Sequence, residues 1–203
     1  THAEDFPSIV AQAFSDPQVG SFWLDYLYRF NAQGLCVMKM SRERVVKRTA
    51  FKWVGAMHEN LLCDGMWQKP SFDKRVEAMQ VIHHTDEAHL AISGQRCLDI
   101  AKKQLKKEEA QGAIDPRSVF DYARALTSVG DTENALKVFE NYIAVSGWDD
   151  MRYVALMTMG DLHREALRFD QAKHVYHLGS VMKPRWPDAY VGLAKVACQD
   201  QQW

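Results

Sequence analysis

Apolar positions recur at helical spacing along the carboxyl-terminal half of the chain, and they come in paired segments. In PRSVFDYARALTSVGDTENALKVFENYIAVSG, residues 116–147, two such stripes flank Gly130 and Asp131, which predicts a helix-turn-helix hairpin. Ala135 and Phe139 align with Ala172 and Tyr176, a small residue followed four positions later by an aromatic on one face of a second helix. The first-helix positions Val119, Tyr122, Ala123 and Leu126 correspond to Leu156, Met159, Gly160 and His163, and then to Tyr190, Leu193, Ala194 and Ala197. A hairpin of this length cannot bury its stripe alone, so the pattern predicts stacked hairpins, a right-handed helical scaffold with a concave face.

The amino-terminal pattern differs. Residues 6–30 read as helical pieces interrupted near Pro17 and Gly20, with Ile9, Ala13 and Phe14 on one helix face and FWLDYLYRF compatible with helix or strand. After Gly34 the runs LCVMKM, RVVKR and FKWVGA are β-rich, with a turn at Thr49 and Ala50. Alternation in FKWVGA sends Phe51 and Trp53 one way and Lys52 and Val54 the other, as on a half-buried strand, and Gly55 permits a bend. His58 and Glu59 follow, before Leu61 and Leu62 resume burial. A histidine and a carboxylate displayed where a strand gives way to a loop have the chemistry of a general-base site, and equally that of a polar loop with structural hydrogen bonds.

Residues 64–79, with Gly65, Pro70 and several charges, read as a mobile excursion, and VIHHT as a short strand ending in His83 and His84. Residues 89–111 read as a helix with Leu98, Ala101 and Leu105 on one stripe and the LKKEEA run on a solvated face. Asp115 is expected to cap the helix opening at Pro116, Asp131 the next one, and Trp186 with Pro187 to introduce a last helix ending around Cys198. His163 falls where a packing aromatic would be expected, and Trp148 and Trp186 fall at hairpin junctions. The expected division is residues 1–88, a connecting helix over 89–114, and helical hairpins over 115–203.

Composition narrows the functional classes. With 203 residues, 47% hydrophobic, the chain can bury one substantial core or two small ones, and a net charge of -1 with mixed signs gives no global field for nucleic acid. Cys36, Cys63, Cys97 and Cys198 show no close pair and no metal-ligand spacing, so reduced thiols and a cytoplasmic setting are expected. No apolar run is long enough to cross a bilayer as a helix.

Two resemblances follow from the residues quoted. The last two first-helix registers are 34 residues apart, the tetratricopeptide period, and the first two are 37 apart, with the excess expected in the connection at Gly147 and Trp148. The order RERVVKR at 42–48, FKWVGAMHENLL at 51–62, VIHHT at 81–85, the QRCLDIAKKQL helix at 95–105 and then the hairpins resembles bacterial family 2 glycosyltransferases with a tetratricopeptide-like tail. That resemblance implies an α+β amino-terminal portion similar to the carboxyl-terminal half of a GT-A type glycosyltransferase domain, followed by an all-α superhelix. It also implies a nucleotide-sugar donor, a divalent metal, Mg or Mn, and inversion by direct displacement.

By residue, the resemblance makes Glu59 the base that deprotonates an acceptor hydroxyl, with His58 orienting it or touching the acceptor. It makes His83 a metal or diphosphate contact with His84 as the alternative, and Arg44 and Arg48 the charges that neutralise phosphate. The chain has no room for the nucleotide-binding first half of such an enzyme, and His2 and Glu4 stand where that half's metal-motif aspartates would end it. As given, the expectation is an acceptor-side part with its tail. A second expectation, from a different class, is a noncatalytic repeat scaffold that binds a protein or peptide on its concave face.

Overall fold

A computed structural model describes residues 5–17, 19–49, 51–55, 60–63, 66–67, 73–82 and 87–200. The chain divides into two units, Thr1–His89 and Leu90–Trp203, the first carrying the strands and the second built of helices.

In the first unit, helix α1 (Phe6–Ala13) precedes strands β1 (Ser21–Phe30), β2 (Cys36–Val46), β3 (Phe51–Val54), β4 (Asn60–Cys63), β5 (Met66–Trp67) and β6 (Asp73–Ile82). FWLDYLYRF is therefore a strand, as its aromatic content favours. One sheet has the order β2-β1-β6, with β2 antiparallel and β6 parallel to β1. The other, β3-β4-β5, is an antiparallel meander. Phe22 and Val19 form a small core with Phe14 and Val45, the two phenylalanine rings meeting edge-on at 4.4 Å. Phe51, Leu61 and Cys63 form another with Val46.

Three expectations change here. LCVMKM and RVVKR belong to one strand, β2, whose register with β1 shifts at Arg44. Trp53 does not share Phe51's burial: Phe51 is 7% exposed and Trp53 47%, because the four-residue β3 buries only its first side chain. Residues 64–79 are no mere excursion, since β6 begins within them at Asp73. Its charges read locally as a loop, whereas what makes β6 a strand is its pairing with the distant β1.

Helix α2 (Glu87–Ala110), all but its first three residues in the second unit, leads to α3 (Pro116–Ser128), α4 (Thr132–Val145), α5 (Asp149–Glu165), α6 (Phe169–Met182) and α7 (Asp188–Gln199). Each helix from α3 onward packs on its successor, and α5 also touches α7. The stripe of α2 is buried at Leu98 and Ala101. Glu108, expected on a solvated face, is instead buried and accepts hydrogen bonds from Ser118 Oγ, Gln104 Nε2 and the Asp115 amide. Burial alone would raise its pKa; those donors outweigh it and hold the carboxyl below its ordinary range. Glu108 thus ties the end of α2 to the start of α3.

Asp115 caps α3 as expected, its carboxylate accepting from the Arg117 amide at 2.8 Å with Pro116 opening the helix. Asp131 stands at the N-cap of α4 without capping it, because Asn134 Nδ2 occupies both carboxylate oxygens. The excess of the first repeat offset lies in the helix rather than in the connection. Helix α5 has 17 residues against 13 in α3, beginning directly after Trp148.

The two complete hairpins share their turn. Gly130 (φ +78°) follows α3 in a Schellman arrangement, its amide on Thr127 O and that of Asp131 on Leu126 O. Leu167 makes the same turn after α5, with its amide on Arg164 O and that of Arg168 on His163 O, at φ 57°. A leucine there is strained where glycine is not.

Ala135, Phe139, Ala172 and Tyr176 are all buried, so the small-aromatic pairs do pack. Tyr176 is wedged between α5 and α7: a Cβ on Gly160 would lie 2.5 Å from its ring, and one on Gly192 2.4 Å. Helix α7 lacks a side-chain cap of its own, and Tyr153 of α5 supplies one, its hydroxyl accepting from the Ala189 amide at 3.1 Å. The register that buries Leu156, Met159 and Gly160 leaves Tyr190 and Ala194 exposed, because no helix follows α7 among the described residues. Ala189, Gly192 and Val196 are its buried face.

Gly160→Ala is expected to lower stability by about 1–3 kcal/mol through overpacking against Tyr176. Leu167→Gly is expected to raise it by about 1 kcal/mol by relieving the left-handed backbone. Denaturation midpoints of the intact chain measure both, and an unperturbed Gly160→Ala would show that the tyrosine is not confined between the two helices.

Candidate functional site

Of the residues singled out for transferase chemistry, Arg44 and Arg48 lie among the described residues. His58 and Glu59 lie outside the described residues, between the last residue of β3, Val54, and the first of β4, Asn60, which pair with each other. His83 and His84 also lie outside them, directly after Ile82 at the end of β6. Arg44 sits in β2 at the register shift between the Phe22–Val45 and Trp23–Glu43 pairs. Arg48 is exposed in the turn beyond Val46, where β2 ends, so the two arginines do not share one strand face.

A charged residue not singled out from the sequence lies nearby in the same sheet. Asp25, on β1, is 5% exposed and pairs with Lys39 Nζ at 3.0 Å, with Ser41 Oγ donating a longer bond. A buried carboxylate is tolerable only when such partners neutralise it. Its signal was an acid at the centre of the apolar run FWLDYLYRF. Among the described residues no group of three or more His, Cys, Asp or Glu side chains gathers in metal-binding geometry. His174 and His177 belong to no such group.

The second unit carries a groove of about 320 Å³ between α5 and α7. Val154, Met157 and Asp161 line it from α5, Val191 and Lys195 from α7, and Trp186 from the connection before α7. Trp186 packs edge-on against Tyr153 at 4.9 Å and lies beneath Lys183 Nζ at 5.3 Å. Asp161 is held at the wall of the groove by Tyr176, whose hydroxyl donates to it at 2.8 Å, and by Arg164 at 3.1 Å. Burial and that hydrogen bond push the Tyr176 hydroxyl well above its ordinary pKa, so it stays a donor. Lys195 makes no ion pair with any described residue. These lining residues were legible as a second stripe: 154, 157, 158 and 161 on α5 repeat the spacing of 188, 191, 192 and 195 on α7.

His163 takes the place expected of a packing aromatic and pays no part in the groove lining; its Nδ1 is buried with no hydrogen-bond partner among the described residues. Burial and the Arg168 guanidinium push its pKa down, against the opposing pull of Glu140 and Glu133. Glu133 and Arg168 are themselves ion-paired.

With a folded pKa below the unfolded one, the unfolded chain binds more protons as pH falls through the ordinary histidine range. His163 therefore costs stability on acidification from about pH 7 toward pH 5, the loss levelling off once the folded form is protonated too. Urea titrations of the parent and His163→Gln across that range are expected to diverge, the parent losing more. Parallel profiles would mean that His163 titrates alike in both states.

Compared with models of known families and with curated proteins, the sequence has no significant match in either.

Proposed function

We propose that the amino-terminal unit is the acceptor-side part of an inverting sugar transferase and that the helical hairpins are its supporting tail. The observation that carries this reading is where the most distinctive segments fall. RERVVKR begins in β2 and runs past its end at Val46, FKWVGAMHENLL runs from β3 into β4, and VIHHT opens with the last two residues of β6. Loops carried on a rigid scaffold commonly hold binding and catalytic residues. A scaffold of helical hairpins alone has no need of a mixed sheet with a carboxylate in such a connection.

In this reading Glu59 takes the proton of the acceptor hydroxyl as its oxygen attacks the anomeric carbon, and the bond to the nucleoside diphosphate breaks with inversion. His58 orients that carboxylate. Arg44 and Arg48 offset the charge that develops on the departing diphosphate. A divalent ion, Mg or Mn, would supply further positive charge there, with His83 and His84 as its nearest candidate contacts. Sugar transfer by the intact protein is expected to fall by at least about a hundredfold in Glu59→Gln. Undiminished transfer would remove Glu59 as the base.

The groove between α5 and α7 supports a second reading, a peptide-binding scaffold. Val154, Val191 and Trp186 are exposed there beside Lys195, so apolar contact and a positive charge are both on offer. Peptides selected from a display library against the intact chain are expected to lose about tenfold or more in affinity on Val191→Asp. Peptides that bind the variant equally well would place recognition elsewhere.

A further inference from the structure

We infer that the β1–β2 hairpin is a membrane-docking ribbon whose tip enters the interface of an anionic bilayer. The geometry begins with strand pairing. Among the described residues, β6 pairs with β1 from Ser21 to Leu27, and the β1–β2 pairing runs on from there to the hairpin turn. Every residue from 28 to 39 is exposed.

Its tip is ordered by its own hydrogen bonds. Asn31 Oδ1 accepts from the Gln33 and Leu35 amides, the Gly34 amide reaches Asn31 O, and Gly34 adopts φ +76°. That is the three-residue hairpin turn with a left-handed glycine. The apolar side chains around it are consequently held in place by the backbone. Tyr28, Phe30, Leu35, Val37 and Met38 are all exposed, Leu35 by 65% and Val37 by 58%. Apolar groups clustered this densely on one exposed element mark an interaction surface.

Charge selects the partner. Residues 26–42 contain Arg29, Lys39 and Arg42 and no acid. Lys39 is engaged by Asp25, while Arg29 makes no ion pair with any described residue. Cations set behind an apolar tip suit lipid phosphates, and tyrosine suits the boundary between headgroup and acyl chain. This inference is independent of the transferase reading and would stand if that reading failed.

Cosedimentation of the intact chain with vesicles tests it. Binding is expected to vesicles of phosphatidylcholine mixed with phosphatidylglycerol, to be weaker with phosphatidylcholine alone, and to fall as salt is raised. The double substitution Leu35→Asp and Val37→Asp should weaken binding to the mixed vesicles by more than about tenfold. Arg29→Glu, which leaves the apolar tip intact, should weaken it about fivefold on the mixed vesicles alone. Far-ultraviolet circular dichroism verifies that both variants fold. Failure of the parent chain to bind either vesicle, or undiminished binding by the double variant, would overturn the proposal. Self-association that the double variant abolishes, without vesicle binding, would assign the ribbon to a second copy of the chain instead.

Discussion

Tyr176 is the side chain on which the order of the helical unit depends. Its ring fills the space that Gly160 on α5 and Gly192 on α7 leave open, and its hydroxyl ends on Asp161. Either glycine with a side chain would force the helices apart, and a smaller residue at 176 would leave a void between them. The polar end matters as much as the ring, because a buried phenol without a partner would forfeit much of what its ring contributes. Since Asp161 also lines the groove between α5 and α7, the contact that closes the core sets one wall of the surface left open.

The connections show the same economy. Tyr153 gives α7 the acceptor its own first residues lack, and Glu108 joins α2 to the start of α3. In both cases an orphan amide at a helix start is met by a side chain from an earlier helix, which couples local capping to tertiary order. Asp131 illustrates the opposite case. Its carboxylate is turned to Asn134, and α4 proceeds without a side-chain cap because packing of Ala135, Leu136 and Phe139 is sufficient to hold it.

The helical hairpins were legible because their period rests on packing that repeats, and 135, 139, 172 and 176 carry it without reference to anything distant. The α3 cap was legible because Asp115 and Pro116 act within one turn. Strand β6 was not, since its pairing with β1 is parallel and joins segments far apart in sequence, while its charges read locally as a loop. Glu108 was missed for a related reason: i to i+4 periodicity places it beside lysines, and only the fold brings Ser118 and the Asp115 amide to it. For the candidate site, sequence supplied the residue types and their order along the strands. It could not show that β2 ends at Val46, which separates Arg44 from Arg48.

Exposed apolar surface occurs in both units, and the charges around it give it different meanings. At the β1–β2 hairpin the charges of residues 26–42 are basic and exposed apolar groups flank the turn. In the α5–α7 groove Asp161 and Asp188 accompany Lys195, and the apolar groups form walls and floor. A hairpin turn with basic neighbours suits an anionic surface; a groove with both signs of charge suits a chain that presents donors and acceptors in sequence. Because apolar attraction is nondirectional, it distinguishes neither partner by itself. The discrimination lies in the polar groups at the edges, and these separate the two surfaces in this protein.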